Sequence, residues 1–166
     1  MKYSISYILF FLFSVSLFTS CKQNNVQEPA PDTEIVYDSA LAASYGADDY
    51  GMKKYVVAFL VRGKNQSIDS VERARLQEAH LQNIFRLADE GKLVLAGPFF
   101  GNDALRGIYI FDVQSIAEAE ALTATDPSIQ AGLLAMDLKE WYGSAALVGV
   151  NNEHKKLSRK TILQSD

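Results

Sequence analysis

Eight residues, "KYVVAFLV" at positions 54–61, constrain the fold more than any other stretch of this chain. They are β-branched and aromatic with no charge after Lys54, the pattern of a strand covered on both sides. In strand alternation Val56, Ala58 and Leu60 point one way and Tyr55, Val57, Phe59 and Val61 the other, so both faces need a cover. After the loop "RGKNQS", Asp69 or Ser70 caps a helix predicted to run to about Glu90 and stop at Gly91. "KLVLAGPFF" makes a second strand closed by Gly97-Pro98, and "LRGIYIFDV" a third after the turn "GNDA", so these two form a hairpin. Ser115 caps "SIAEAEALTATD", a short helix with Ile116, Ala119 and Leu122 on one face and Asp126-Pro127 as its end. "GLLAMDLKEWYG" is the fourth strand.

The order predicts an α+β fold, the ferredoxin-like βαββαβ arrangement, with two helices on one face of an antiparallel sheet. Those helices serve only one side of the first strand. A homodimer that packs sheet against sheet is the simplest cover for the other.

The chain begins "MKYSISYILFFLFSVSLFTSCKQ", a lysine followed by an apolar and hydroxylic run, the order of a secretory signal. From Tyr7 to Phe18 the run falls short of the roughly 20 apolar residues of a membrane span. Cys21 is the single cysteine, which excludes an intramolecular disulfide. Its place after Leu17-Phe18-Thr19-Ser20 resembles a bacterial lipobox, although Phe18 stands where a small aliphatic residue is usual. The alternative is an ordinary signal peptide with a free cysteine near the cleavage site. The expected organisation is a signal over 1–20, a lipidated Cys21 and flexible tether over 21–51, a domain over 52–148 and a polar tail over 149–166. Such a protein is exported and lipid-anchored to a bacterial cell membrane, on its periplasmic or outer face.

Removing residues 1–20 takes away Lys2 and no acid, leaving 15 of the 16 basic side chains against 20 acidic ones. A chain of that balance has no basic stripe for phosphate, so nucleic acid is not an expected partner. The one basic run, "HKKLSRK" from His154, sits in the tail and reads as solvated, with weak contact to acidic lipid headgroups as the sharper alternative.

His80 is one of two histidines. On a helical wheel the second half of its helix buries Leu81, Ile84, Ala88 and Phe85, which leaves His80 on the flank of the apolar stripe. The row through His80 continues backwards to Gln77 and Arg73 where a core helix would offer Leu or Val. Either the helix overruns the sheet and these three face solvent, or they line a pocket in which the imidazole carries a proton near neutral pH.

The stretch "HLQNIFRLADEGKLVLAGPF", followed later by "ATDPSIQAGL", resembles the YCII-related family of small bacterial proteins. The shared points are His-Leu early in the helix, Gly91 at its end, the strand into Ala96-Gly97-Pro98, and Asp126-Pro127 ahead of Ala131-Gly132, over roughly residues 54–145. The resemblance implies a ferredoxin-like dimeric α+β barrel with a histidine–aspartate site, which falls here on His80 and Asp126. A few similar proteins eliminate chloride from chlorinated aromatic breakdown products. Without the resemblance, Asp126 reads as a helix terminator bonded to nearby backbone amides ahead of Pro127. With it, the carboxylate fixes the imidazole tautomer and leaves the other ring nitrogen to take a proton.

Arg73, Gln77, Gly97 and Pro98 are candidate ligand-binding residues, though an ordinary turn explains the last two equally well. Asp103 and Arg106 flank the hairpin loop, Trp141 and Tyr142 read as dimer or core packing, and His154 in the tail has no assigned role. No phosphate loop, no serine elbow and no paired Cys or His at metal spacing is present, so neither a cofactor nor a metal is expected. Two functions follow: a small-molecule enzyme that transfers a proton through His80 and Asp126, of isomerase or lyase (dehydrochlorinase) type, or a small-ligand-binding or protein-interaction lipoprotein without catalysis.

Overall fold

The computed structural model describes residues 35–163, so the signal, Cys21 and the first part of the tether lie outside the described residues. The described residues from Tyr37 onward form one compact unit. Its elements are α1 (Ser39–Tyr45), β1 (Met52–Arg62), α2 (Ser70–Asp89), β2 (Leu93–Pro98), β3 (Leu105–Phe111), α3 (Ile116–Thr123), α4 (Pro127–Gln130), β4 (Leu134–Ser144), a 3-10 turn (Ala145–Gly149) and α5 (Val150–Leu157). The sheet order is β2-β3-β1-β4 and every pairing is antiparallel. That is the ferredoxin-like α+β order, with β1 in the interior and the β2–β3 hairpin outside it.

The helix-side core is built from Val56, Ala58 and Leu60 of β1, Tyr109 and Phe111 of β3, Leu87 of α2 and Ala119 of α3. Asp69 caps α2 by accepting from the amides of Val71 and Glu72, and Gly91, at φ 69°, turns the chain away after it. Ser115 caps α3 as expected. The helix ends at Thr123, before the Asp126-Pro127 stop, and Pro127 starts a new turn of helix, α4, with Asp126 as its N-cap. Proline suits that position because its missing N–H would have had no partner there.

The wheel of α2 is turned from the expected one. Its buried residues are Leu76, His80, Asn83 and Leu87, while Leu81, Ile84, Phe85 and Ala88 are half-buried on the flank. Polar residues had been excluded from the stripe, yet His80 and Asn83 occupy its centre because partners from other elements meet them there.

The second sheet face is partly covered by the chain itself. Tyr55, Val94 and Ile110 are buried there with Val57, Leu95 and Leu147, the last from the 3-10 turn. Asn151 Nδ2 of α5 donates to the carbonyl of Leu93 at 2.8 Å. Tyr45 of α1 lies so close to Gly149 that a Cβ there would meet its hydroxyl at 2.6 Å. Segments expected to be tether and tail thus contribute a helix each. Both helices are too short, at 7 and 8 residues, to display a readable apolar period. Phe59, Val61 and Ile108, at the other end of this face, are only half-buried.

Candidate active site

His80 reaches the centre of the fold from α2, Tyr109 from β3 and Asp126 from the link between α3 and α4. His80 Nδ1 lies 2.6 Å from Asp126 Oδ2, and Tyr109 Oη lies 3.2 Å from His80 Nε2. His80 is 7% exposed and Asp126 0%. The imidazole and phenol rings are stacked at 6.2 Å, and Phe111 meets the phenol edge-on from behind. Asp126 holds its position because Oδ1 accepts from the Ser128 amide at 2.8 Å, while Ser128 Oγ donates to the Leu76 carbonyl at 3.2 Å and ties α4 to α2.

This geometry orders the protons. With the proton on Nδ1, the ring donates to the Asp126 carboxylate and Nε2 is the acceptor for the Tyr109 hydroxyl, the tautomer that satisfies both contacts. Burial first, and then the charge of Asp126, push the Tyr109 phenol well above its ordinary range, so it remains a donor. The second ring nitrogen, expected to be free, is therefore held by a tyrosine. Tyr109 was missed because a tyrosine in an apolar strand reads as core packing, and only the register of β3 beneath α2 brings it to His80.

Asn83, one turn beyond His80, is a second residue that the sequence did not single out. Its Oδ1 accepts from Arg86 Nη2 at 2.8 Å and Thr125 Oγ1 at 3.1 Å, and its buried Nδ2 has no hydrogen-bond partner among the described residues. A buried donor left in this condition is costly unless something meets it. Thr123 and Ile129, which bracket Asp126, line a groove of about 590 Å3 along β4 with Met136 and Leu138.

The remaining candidates make their contacts elsewhere. Arg73 donates to the Gln66 carbonyl and Gln77 is exposed. Gly97 and Pro98 pair with Ile108 and Gly107 inside the hairpin. None of the four has a hydrogen bond to His80, Asp126 or Tyr109. Arg106 bonds to the carbonyls of Gly101 and Asp103 within its own loop. Trp141 packs on Tyr55, and the Tyr142 hydroxyl bonds to the Asp48 carboxylate. Among the described residues no group of three His, Cys, Asp or Glu side chains is arranged to hold a metal ion.

The family model described as the YCII-related domain matches residues 55–142, which span β1 to β4 and include the whole cluster. The chain belongs to the YCII-related domain family. Among YCII relatives, the uncharacterised protein YjpA of Bacillus subtilis (strain 168) is 34% identical over 62 residues, 37% of this chain and 71% of that protein. The solved structure of 5-chloro-2-hydroxyhydroquinone dehydrochlorinase from Burkholderia phenoliruptrix AC1100, in complex with 2,5-dihydroxybenzoquinone, is similar at 22% identity. It covers 54% of this chain and 93% of its own, with a TM-score of 0.41.

Proposed function

We propose that this YCII domain is a small-molecule enzyme in which His80 takes and returns a proton, with chemistry of the isomerase or lyase (dehydrochlorinase) type. The observation that carries the reading is the fully buried Asp126 carboxylate 2.6 Å from His80 Nδ1. A carboxylate there fixes the tautomer and favours the imidazolium formed when Nε2 takes a proton. A substrate that displaces the Tyr109 hydroxyl from Nε2 puts its own C–H in that place. The base removes the proton from carbon beside a carbonyl, and the electron pair moves into a new double bond. Either the proton returns to another carbon or a leaving group such as chloride departs with its electrons. Asn83 Nδ2 is a donor for the carbonyl oxygen on which charge gathers.

The test is hydrogen exchange in D2O with a panel of hydroxyquinones and 1,3-dicarbonyl compounds, followed by proton NMR. The parent should speed exchange at carbon for at least one member, and His80→Ala and Asp126→Asn should each slow it by about 10²–10⁴-fold. Equal exchange by parent and both variants would sink the assignment.

One observation favours a second reading, a small-ligand-binding or protein-interaction lipoprotein without catalysis. Both nitrogens of His80 are engaged inside the fold, as in a purely structural polar cluster. Binding of a panel member with no exchange at any carbon would select it. In either reading Cys21 carries a lipid that holds the domain at the outside of a bacterial membrane, a proposal supported by the order of residues before it.

A further inference from the structure

A second concave site lies away from His80. Between α2 and α5, over the edge strand β2, runs a groove of about 730 Å3. Phe85 and Ala88 of α2, Leu95 of β2 and Val150 of α5 give it an apolar lining, and Lys155, Arg159 and Lys160 stand along it. The bond from Asn151 Nδ2 to the Leu93 carbonyl pins α5 to β2 and fixes the width. Asp89 also lines the groove and holds Lys155 at 3.6 Å, while Arg159 makes no ion pair among the described residues. Lys155, Lys156, Arg159 and Lys160 are four of the chain's 16 basic residues, gathered within six positions of a chain whose net charge is −4.

An apolar trough of this volume suits a discrete ligand rather than the flat surface of a bilayer. The cationic flank selects the sign of the ligand's head, and a guanidinium matches a carboxylate in two parallel hydrogen bonds. We infer that this groove binds an amphiphilic carboxylate, with its apolar body along Phe85, Ala88 and Leu95 and its head at Arg159 and Lys155. The site is separate from the His80 cluster and holds whether or not that cluster is catalytic.

Residues 37–166, the compact unit with its own core, are titrated with dodecanoate, dodecanol and acetate below micelle-forming concentrations, with calorimetry and amide NMR as readouts. Dodecanoate should bind one to one, at least tenfold tighter than dodecanol, with shifts at residues 85–96 and 150–162, and acetate should not bind. Arg159→Glu, at an exposed position, should weaken dodecanoate at least tenfold, and Ala88→Trp should fill the trough and abolish binding. If Ala88→Trp does not fold, the arginine variant and the dodecanol comparison decide. Absence of dodecanoate binding, or equal binding by parent and Arg159→Glu, overturns the inference. A response to phosphatidylglycerol vesicles alone, with none to dodecanoate, overturns it in favour of a bilayer contact.

Discussion

Asp126 divides its carboxylate between two tasks, with Oδ1 on the amide of Ser128 and Oδ2 on His80. The sequence offered two rival accounts, a helix terminator or an orienting acid; in the folded chain α3 has already ended at Thr123, and the carboxylate caps the start of α4 while also meeting His80 Nδ1. An acid retained at this position in a relative therefore says little about activity, since the cap alone requires it, whereas the His80 and Tyr109 pair has no such local duty. Tyr109 also has a consequence for stability. Burial raises its phenol above the ordinary 10.0, and burial raises that of Tyr55 to about 12. In the unfolded chain both ionise near 10, so the folded state binds protons more tightly above that pH. Their contribution is complete below pH 10 and falls as pH rises towards 12 for Tyr55 and beyond for Tyr109. Urea midpoints measured from pH 8 to 11 should decline above about pH 10, and Tyr109→Phe should decline less steeply.

At the scale of elements the strand and helix order was legible because each segment carries its own period and its own stop, such as Asp69 and Gly91 around α2. The rotation of α2 was not, since a wheel that buries only apolar residues has no means of knowing that His80 and Asn83 meet partners from β3 and the α3–α4 link. Close backbone approach was equally hidden. Gly63 follows β1 directly, and a Cβ there would sit 2.1 Å from the Gly132 carbonyl oxygen, where the loop before β4 bonds back through Gly63 N to Leu133 O. Gly63→Ala must push two backbones apart and should cost about 2 kcal/mol. Gly91→Ala meets no atom within 4 Å but must hold φ near 69°, and should cost about 1 kcal/mol. Urea denaturation of the two variants checks the ranking.

For the whole molecule, an apolar strand with two faces implied a second cover, and the chain supplies part of it through Leu147. The expected homodimer is left with the half that carries Phe59, Val61 and Ile108. Phe59→Glu puts a charge in that half without touching the helix-side core. In sedimentation velocity the unit 37–166 should run as a dimer and the variant as a monomer; a parent that runs as a monomer removes the proposal. The tether has its own test, because Cys21→Ser should move the full chain from the membrane to the soluble fraction of its bacterial host, and equal membrane retention would exclude a lipid at Cys21. Tyr45 rests on Gly149, and the Gly51 carbonyl accepts from the Ala145 amide, so the segment that leads into β1 adjoins the segment that leaves β4. A linker long enough to pass α5 and join the two ends of the described unit, with new ends opened in the exposed hairpin loop at 99–104, would rewire the polypeptide and leave all four strands paired in their present order.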